Sequence, residues 1–432
     1  MATVSRPITT EKSTLAVIVD WLTTVDHKKI GMMYLVLNVV FFVMAGVLAL
    51  LLRTQLAWSN LKLVDPNRYN ELFTMHGTAM IFLVIVPIWA GFANYILPLQ
   101  IGARDMAFPR LNAFSFWLLL FSGVVMFSSY FFNSVPNAGW TAYPPLTGPT
   151  YTPGPNTDFW ILGLHLGGLS SLFGAINFIV TTLNLRAPGM KLLQVPMFTW
   201  SMLITSSMVL FATPMLTVAI TLLLADRHFG THFFMAAQGG DPLLWQNLFW
   251  FYSHPAVYIM ILPAMGAVSE VLQTFSRKPL FGFRFIAFSS VFIAVLGFLV
   301  WAHHMFQVGS SLAINAFFAG MTDVEHHPPQ EGGIVARFRN RDAQFFQIGE
   351  DPLIDEVLRR RERCDRCAER NGRAENRVAA LIANHHREFA GDVQDFDESA
   401  VIHLGHRPVI RFEQRHAGDI ALSAVGVTGI GR

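Results

Sequence analysis

The chain has 432 residues, 53% of them hydrophobic and only 14% charged, with a net charge of +2. Soluble domains carry about 25% charged residues, so the composition points to a polytopic membrane protein, and the near-balanced charge argues against a nucleic-acid partner. The two cysteines, Cys364 and Cys367, lie outside the apolar part, which excludes thiolate ligands and disulfides from the membrane region.

In chain order, residues 1–29 read as a cytoplasmic amino-terminal segment. They are polar and mixed, with no short apolar core followed by a small-residue cleavage site. A span needs about 20 apolar residues. Seven runs qualify, over roughly 30–53, 72–99, 112–133, 160–183, 198–224, 243–273 and 283–310, and an eighth starts at Ser311 and is interrupted near Thr322. Most are apolar all round, as buried or lipid-facing helices are. The expected fold is therefore all-α: a polytopic transmembrane helix bundle over residues 30–322, followed by an irregular or disordered polar tail over 323–432.

Basic residues set the orientation. Lys28 and Lys29 precede span one, Arg104 and Arg110 follow span two, Arg186 and Lys191 follow span four, and Arg277 and Lys278 follow span six. The loop from Asn133 to Asp158 has no Lys or Arg. The amino terminus is thus expected in the cytoplasm and the end of span seven outside.

Against this topology, four intramembrane histidines share a depth. His76 is early in the inward-running span two, His254 is about 11 residues into span six, and His303 and His304 are about 7 residues before the outer end of span seven, so at about 1.5 Å per residue all fall in the outer half of the bilayer. A charge at mid-span costs on the order of 3 kcal/mol, so such residues mark function by default. Neutral imidazole ligates copper and iron. His303 and His304, about 100° apart on a helix, share one metal if it sits beside the helix edge and His254 supplies a third ligand. The bland alternative, polar residues satisfied by neighbouring carbonyls, weakens with each histidine at the same depth.

His254 and Tyr258, at i and i+4, face the same way, and Pro255 between them bends the helix. Alone, Tyr258 reads equally as a packing tyrosine. His76 precedes Gly77, whose missing side chain would let a flat macrocycle approach. Axial haem ligation competes there with an ordinary core histidine. Asp105, Asn94 and Asn112 form either an inward proton path through ordered water or simple helix-end capping. Arg53 at the end of span one reads alone as a snorkelling charge.

Seven segments, read together, resemble subunit I of the haem-copper oxidases, the cytochrome c oxidase type. They are Asp26-His27-Lys28-Lys29-Ile30-Gly31, Leu72-Phe73-Thr74-Met75-His76-Gly77-Thr78, Ile101 to Arg110, Trp140-Thr141-Ala142-Tyr143-Pro144-Pro145-Leu146, Asn184-Leu185-Arg186-Ala187-Pro188-Gly189-Met190, Phe249 to Pro255 and Trp301-Ala302-His303-His304-Met305-Phe306. The resemblance runs in the family's order over about residues 20–322. It implies reduction of oxygen to water with electrons from cytochrome c, coupled to proton translocation, in a bacterial plasma membrane. It also implies oxidase subunits II and III, oxygen and membrane lipid as partners, with a quinol oxidase as the related alternative.

By the same resemblance His254, His303 and His304 hold copper, and Tyr258 is the catalytic tyrosine covalently linked to His254. His76 ligates the iron of low-spin haem a, and Arg53 and Trp140 belong to the cofactor pocket. Asp105, Asn94 and Asn112 open a proton pathway. The family usually has Glu two residues after the span-six histidine. Here that residue is Ala256, and Tyr252-Ser253 is similar to the branch that uses a Tyr-Ser pair instead.

The sequence departs from the family after residue 322. The His-Phe-His motif that supplies a second haem a ligand and the ligand of haem a3 is absent, as are the eighth span's Lys and the external magnesium site. The expectation is that this polypeptide is incomplete for catalysis; the alternative function is a non-catalytic membrane fragment. Residues 323–432 hold sixteen arginines but no Lys, Trp or Tyr. That skew suits an out-of-frame translation. A fused domain with zinc on Cys364, Cys367, His385 and His386 is the rival, with short helices over 352–363 and 373–387.

Overall fold

The computed structural model describes residues 13–58 and 61–326, and in the last hundred residues 401–404, 407–414 and 420–423. Two compact units divide at Pro329 and Gln330. The first is an all-α bundle in which seven helical spans are long and apolar enough to cross a membrane. Together with the composition, this makes the chain an integral, polytopic membrane protein.

A short helix α1 (Thr14–Leu22) precedes span one, α2 (His27–Gln55). Asp26 caps α2, its carboxylate accepting from the backbone N–H of Lys28 at 2.9 Å and Lys29 at 3.0 Å. Span two consists of α3 (Pro66–Ala79), a π-helical stretch Met80–Ile85 and α4 (Val86–Ile101). Pro87 has no N–H to offer the carbonyl one turn back, which accounts for the wider helix just before it. Gly102, at φ +73°, ends α4 in the left-handed conformation.

Then come α5 (Pro109–Ser128), α6 (Asn156–Asn184), α7 (Met197–His228) and α8 (Pro242–Ser276), the last capped by Asp241 on Leu243 N–H. The bundle closes on buried Met75, Leu83, Trp160, Trp245 and Phe249. Helices α2 and α4 nearly touch, since a Cβ at Gly31 would lie 2.9 Å from the Gly91 carbonyl.

Three features differ from the sequence reading. Residues 14–22 belong to the stretch read as polar and mixed, yet they form the apolar helix TLAVIVDWL. Span seven is not one α-helix either. It runs as α9 (Phe283–Gly297), turns at Phe298–Val300, and continues as a 3₁₀ helix over Trp301–Met305. The run read as the start of an eighth span forms α10 (Leu312–His326), which continues past Thr322.

In the second unit the described residues form three short antiparallel strands in the order β1 (Val401–Leu404), β2 (Arg407–Gln414) and β3 (Ile420–Ser423). The Cys364/Cys367 zinc reading and the tail helices fall outside the described residues.

Candidate metal centre and inward polar chain

His254 is buried in the middle of α8, while His303 and His304 ride on the 3₁₀ turn. One ligand nitrogen from each of the three lies within 4.8 Å of the others, the one such metal-type group among the described residues. His254 Nδ1 is 3.1 Å from His304 Nε2. The turn geometry corrects the expected helical placement: a 3₁₀ turn rotates about 120° per residue, not 100°. Even so, adjacent imidazoles converge, with ring centroids 4.3 Å apart for His303 and His304 and 4.5 Å for His254 and His303.

Neighbours fix these rings. His303 Nδ1 is 3.0 Å from Thr322 Oγ1, and that hydroxyl gives its only hydrogen to the Phe318 carbonyl at 2.7 Å. The hydroxyl must therefore accept from His303 Nδ1–H, which leaves the ring's lone pair on Nε2. The Trp250 indole stacks on His304 at 3.9 Å and 6°, and its N–H donates to Tyr143 at 2.5 Å. Burial pushes the Tyr143 phenol up, and that indole N–H opposes the shift. Tyr258 packs edge-on to His254 at 4.9 Å. A Cβ at Gly297 would lie 2.8 Å from the Tyr258 ring, so the glycine that ends α9 makes room for the tyrosine.

His76 Nδ1 is 3.0 Å from the Ala45 carbonyl. A carbonyl only accepts, so Nδ1 carries the proton and Nε2 the lone pair. Gly77 faces Trp140, and a Cβ there would sit at an ordinary 3.6 Å from the Trp140 side chain. Trp140 in turn packs against Phe249 and Trp250. Arg53 is exposed in the last turn of α2.

Toward the opposite end a second polar arrangement begins at half-buried Asp105, whose carboxylate accepts from Met106 N–H. Asn112 and Asn94, both buried, share a hydrogen bond of 2.5 Å. The Ser115 hydroxyl donates to the Asn112 carbonyl and so accepts from Tyr34, 3.0 Å away. Tyr34, Asn94, Ser170, Thr205 and Ser206 line a cavity with about 50 Å³ of room for water centres, which reaches Ile259 on α8. Trp89 Nε1 and Thr205 Oγ1, also at this cavity, have no protein partner. A polar cavity of this size suits ordered water. Above it, Tyr252 stacks on Phe82, and the buried Ser253 hydroxyl has no protein partner.

Sequence reasoning missed Thr322, Trp250, Tyr143, Tyr34, Ser115, Ser170 and Thr205. The serines and Tyr34 did carry a signal, being polar groups inside apolar spans. Thr322 did not, because its role depends on a chain reversal between the 3₁₀ turn and α10.

Such a bundle, with a histidine cluster of metal-ligating type between its sixth and seventh spans, defines a polytopic membrane protein built around a candidate redox-metal centre. Residues 29–329 match the family described as Cytochrome C and Quinol oxidase polypeptide I, and the chain belongs to that family. Quinol oxidase subunit 1 of Bacillus subtilis (strain 168) is 50% identical over 301 residues, covering 69% of this chain and 46% of the relative. Cytochrome c oxidase subunit 1 of Bacillus sp. (strain PS3) is 48% identical over 322 residues, 74% of this chain and 52% of the relative.

The corresponding subunit of Synechocystis sp. (strain ATCC 27184 / PCC 6803 / Kazusa) is 52% identical over 298 residues, 69% of this chain and 54% of the relative. The chain thus spans about half the length of these curated relatives. A chain of a heme-copper terminal oxidase dimer solved by cryo-EM shares the fold, with a TM-score of 0.54 at 18% identity, covering 69% of this chain and 50% of that one.

Proposed function

We propose that this chain is the metal-holding part of the catalytic subunit of a terminal respiratory oxidase, with His254, His303 and His304 holding one copper ion. The observation that carries this is the convergence of three imidazoles from two separate elements within 4.8 Å. An all-imidazole donor set suits copper, and Thr322 holds His303 in the tautomer a metal needs. His76, with its lone pair on Nε2, is the proposed axial ligand of haem a, with Arg53 and Trp140 beside that pocket. Copper held by these three histidines would supply, when bound, a redox-active metal for oxygen chemistry.

The chain's own residues do the rest. Tyr258 holds a phenolic proton beside His254, and Trp250 keeps one face of His304 covered. Asp105, Asn112 and Asn94, continued by Tyr34, Ser115 and the water-sized cavity, bring protons inward, and Tyr252 and Ser253 stand at its upper end. In this reading the amino terminus is cytoplasmic, in a bacterial plasma membrane. Subunits II and III are partners, and cytochrome c gives the electrons. A quinol is the alternative donor, favoured by the relatives named quinol oxidase that match equally well. The ligand of haem a3 and the second ligand of haem a belong to a His-Phe-His motif that these 432 residues lack. We therefore expect the polypeptide alone to take copper and not to reduce oxygen.

Copper per purified chain, measured by mass spectrometry, tests the assignment. His254→Ala and His303→Ala should each reduce copper from near one per chain to background. Unchanged copper in both variants would overturn the proposal.

A further inference from the structure

We infer that α1 is a membrane-surface anchor, lying in the lipid interface at the Lys28–Lys29 end of the bundle. The helix reads TLAVIVDWL, and none of its nine residues is buried by protein. Leu15 is 71% exposed, Ile18 50% and Leu22 50%. In water so short a helix would be marginal, since isolated helices need about 12–15 residues. An apolar helix with none of its residues buried by protein needs another apolar medium.

Lipid is the occupant the structure favours, because α1 leads within four residues into span one, on which Met32, Val36, Val39 and Val43 are also exposed. The connector Thr23–Asp26 spans at most about 14 Å when extended, so the carboxyl-terminal end of α1 stays close to the start of span one. At about 100° per residue, Leu15, Ile18, Val19 and Leu22 form one arc, and Ala16, Val17 and Asp20 the opposite one. Asp20, the one charged residue of α1, is tied to Lys29 at 2.8 Å, which holds its side of the helix toward the first turn of α2. Lys29 also lies 5.8 Å from the centroid of a Trp21 ring. An aromatic ring beside a lysine is the pairing expected at head-group depth. Lys28, exposed next to it, complements anionic head groups.

Spin-label accessibility tests this in the full chain, carrying Cys364→Ser and Cys367→Ser, in vesicles of phosphatidylcholine and phosphatidylglycerol. Nitroxides are placed on Ile18→Cys or Ala16→Cys. The expected result is a collision rate with oxygen severalfold above that with a water-soluble nickel chelate at residue 18, and the reverse at residue 16. Chelate-dominated collisions at both positions would place α1 in water and overturn the inference. An immobilised label at residue 18, shielded from both reagents, would mean that α1 packs on protein and would overturn it equally.

Discussion

The histidine cluster and the inward polar chain are both buried polar systems in an apolar bundle, yet they are built on different rules. Around the histidines the partners have a fixed sense or a fixed place: in the cluster Thr322 accepts a hydrogen bond from His303 and Trp250 lies flat on His304, and outside it the Ala45 carbonyl accepts one from His76. In the chain the members are Asn, Ser and Tyr, whose amides and hydroxyls both donate and accept, around a cavity with polar atoms left over. A metal site needs lone pairs aimed and protons kept off them, so it uses carbonyls and committed hydroxyls. The proposed proton path would need groups that can reverse their sense, which hydroxyls and water can do. The same physical cost of burying polar groups is met by rigidity in one place and by reversibility in the other.

The sharpest way to break this contrast is at Thr322. Thr322→Val keeps the shape and removes the acceptor of His303 Nδ1–H. Loss of such a partner costs about 10- to 100-fold in metal affinity, so a copper titration should show that weakening, with Thr322→Ser restoring it. Affinity unchanged in Thr322→Val would mean that the hydroxyl does not set the tautomer.

Gly297 tests the tyrosine instead of the ligands. In Gly297→Ala the new Cβ would meet Tyr258 at 2.8 Å. Overpacking of this kind costs about 1–3 kcal/mol and should move the phenol off His254. Lower thermal stability with copper affinity retained is the expected pattern, since Tyr258 is not among the clustered ligands. In the second polar chain, Asn112→Leu leaves the side-chain Oδ1 of Asn94 without its donor in a buried place, a cost of about 1–3 kcal/mol. Copper binding should be unaffected, and in a complex restored to turnover proton uptake should slow. Copper loss in this variant would show that the two regions are not separate systems.

Much of this was legible from residues alone. The seven spans follow from apolar run length, and the meeting of His254, His303 and His304 is expected of imidazoles placed at similar depth in neighbouring spans, while His76 stands apart from them. What escaped the sequence depends on chain reversal. The 3₁₀ turn at Trp301–Met305 has no periodicity of its own within an apolar run, so span seven looks continuous until Gly297 is seen under Tyr258. The α1 helix escaped because nine apolar residues are too few for a span and are flanked by charge. Thr322 looked like the end of an apolar run, whereas it sits within α10 and faces back to His303.

Gly77 carries the smallest expected effect and separates two explanations for a single residue. Its sequence context, directly after His76, suggests a glycine kept small for a macrocycle. The structure shows that protein crowding does not require it, because a Cβ would stand at 3.6 Å from the Trp140 side chain, an ordinary contact. Gly77→Ala should therefore leave the apo protein as stable or more stable, by up to about 1 kcal/mol from helix propensity. If haem lies against this face, the same variant should bind haem less well when titrated, with the chain's melting temperature unchanged or higher. Equal haem binding in Gly77→Ala and the parent would place any haem ligated by His76 away from Gly77, and Trp140 would then be packing rather than a pocket wall.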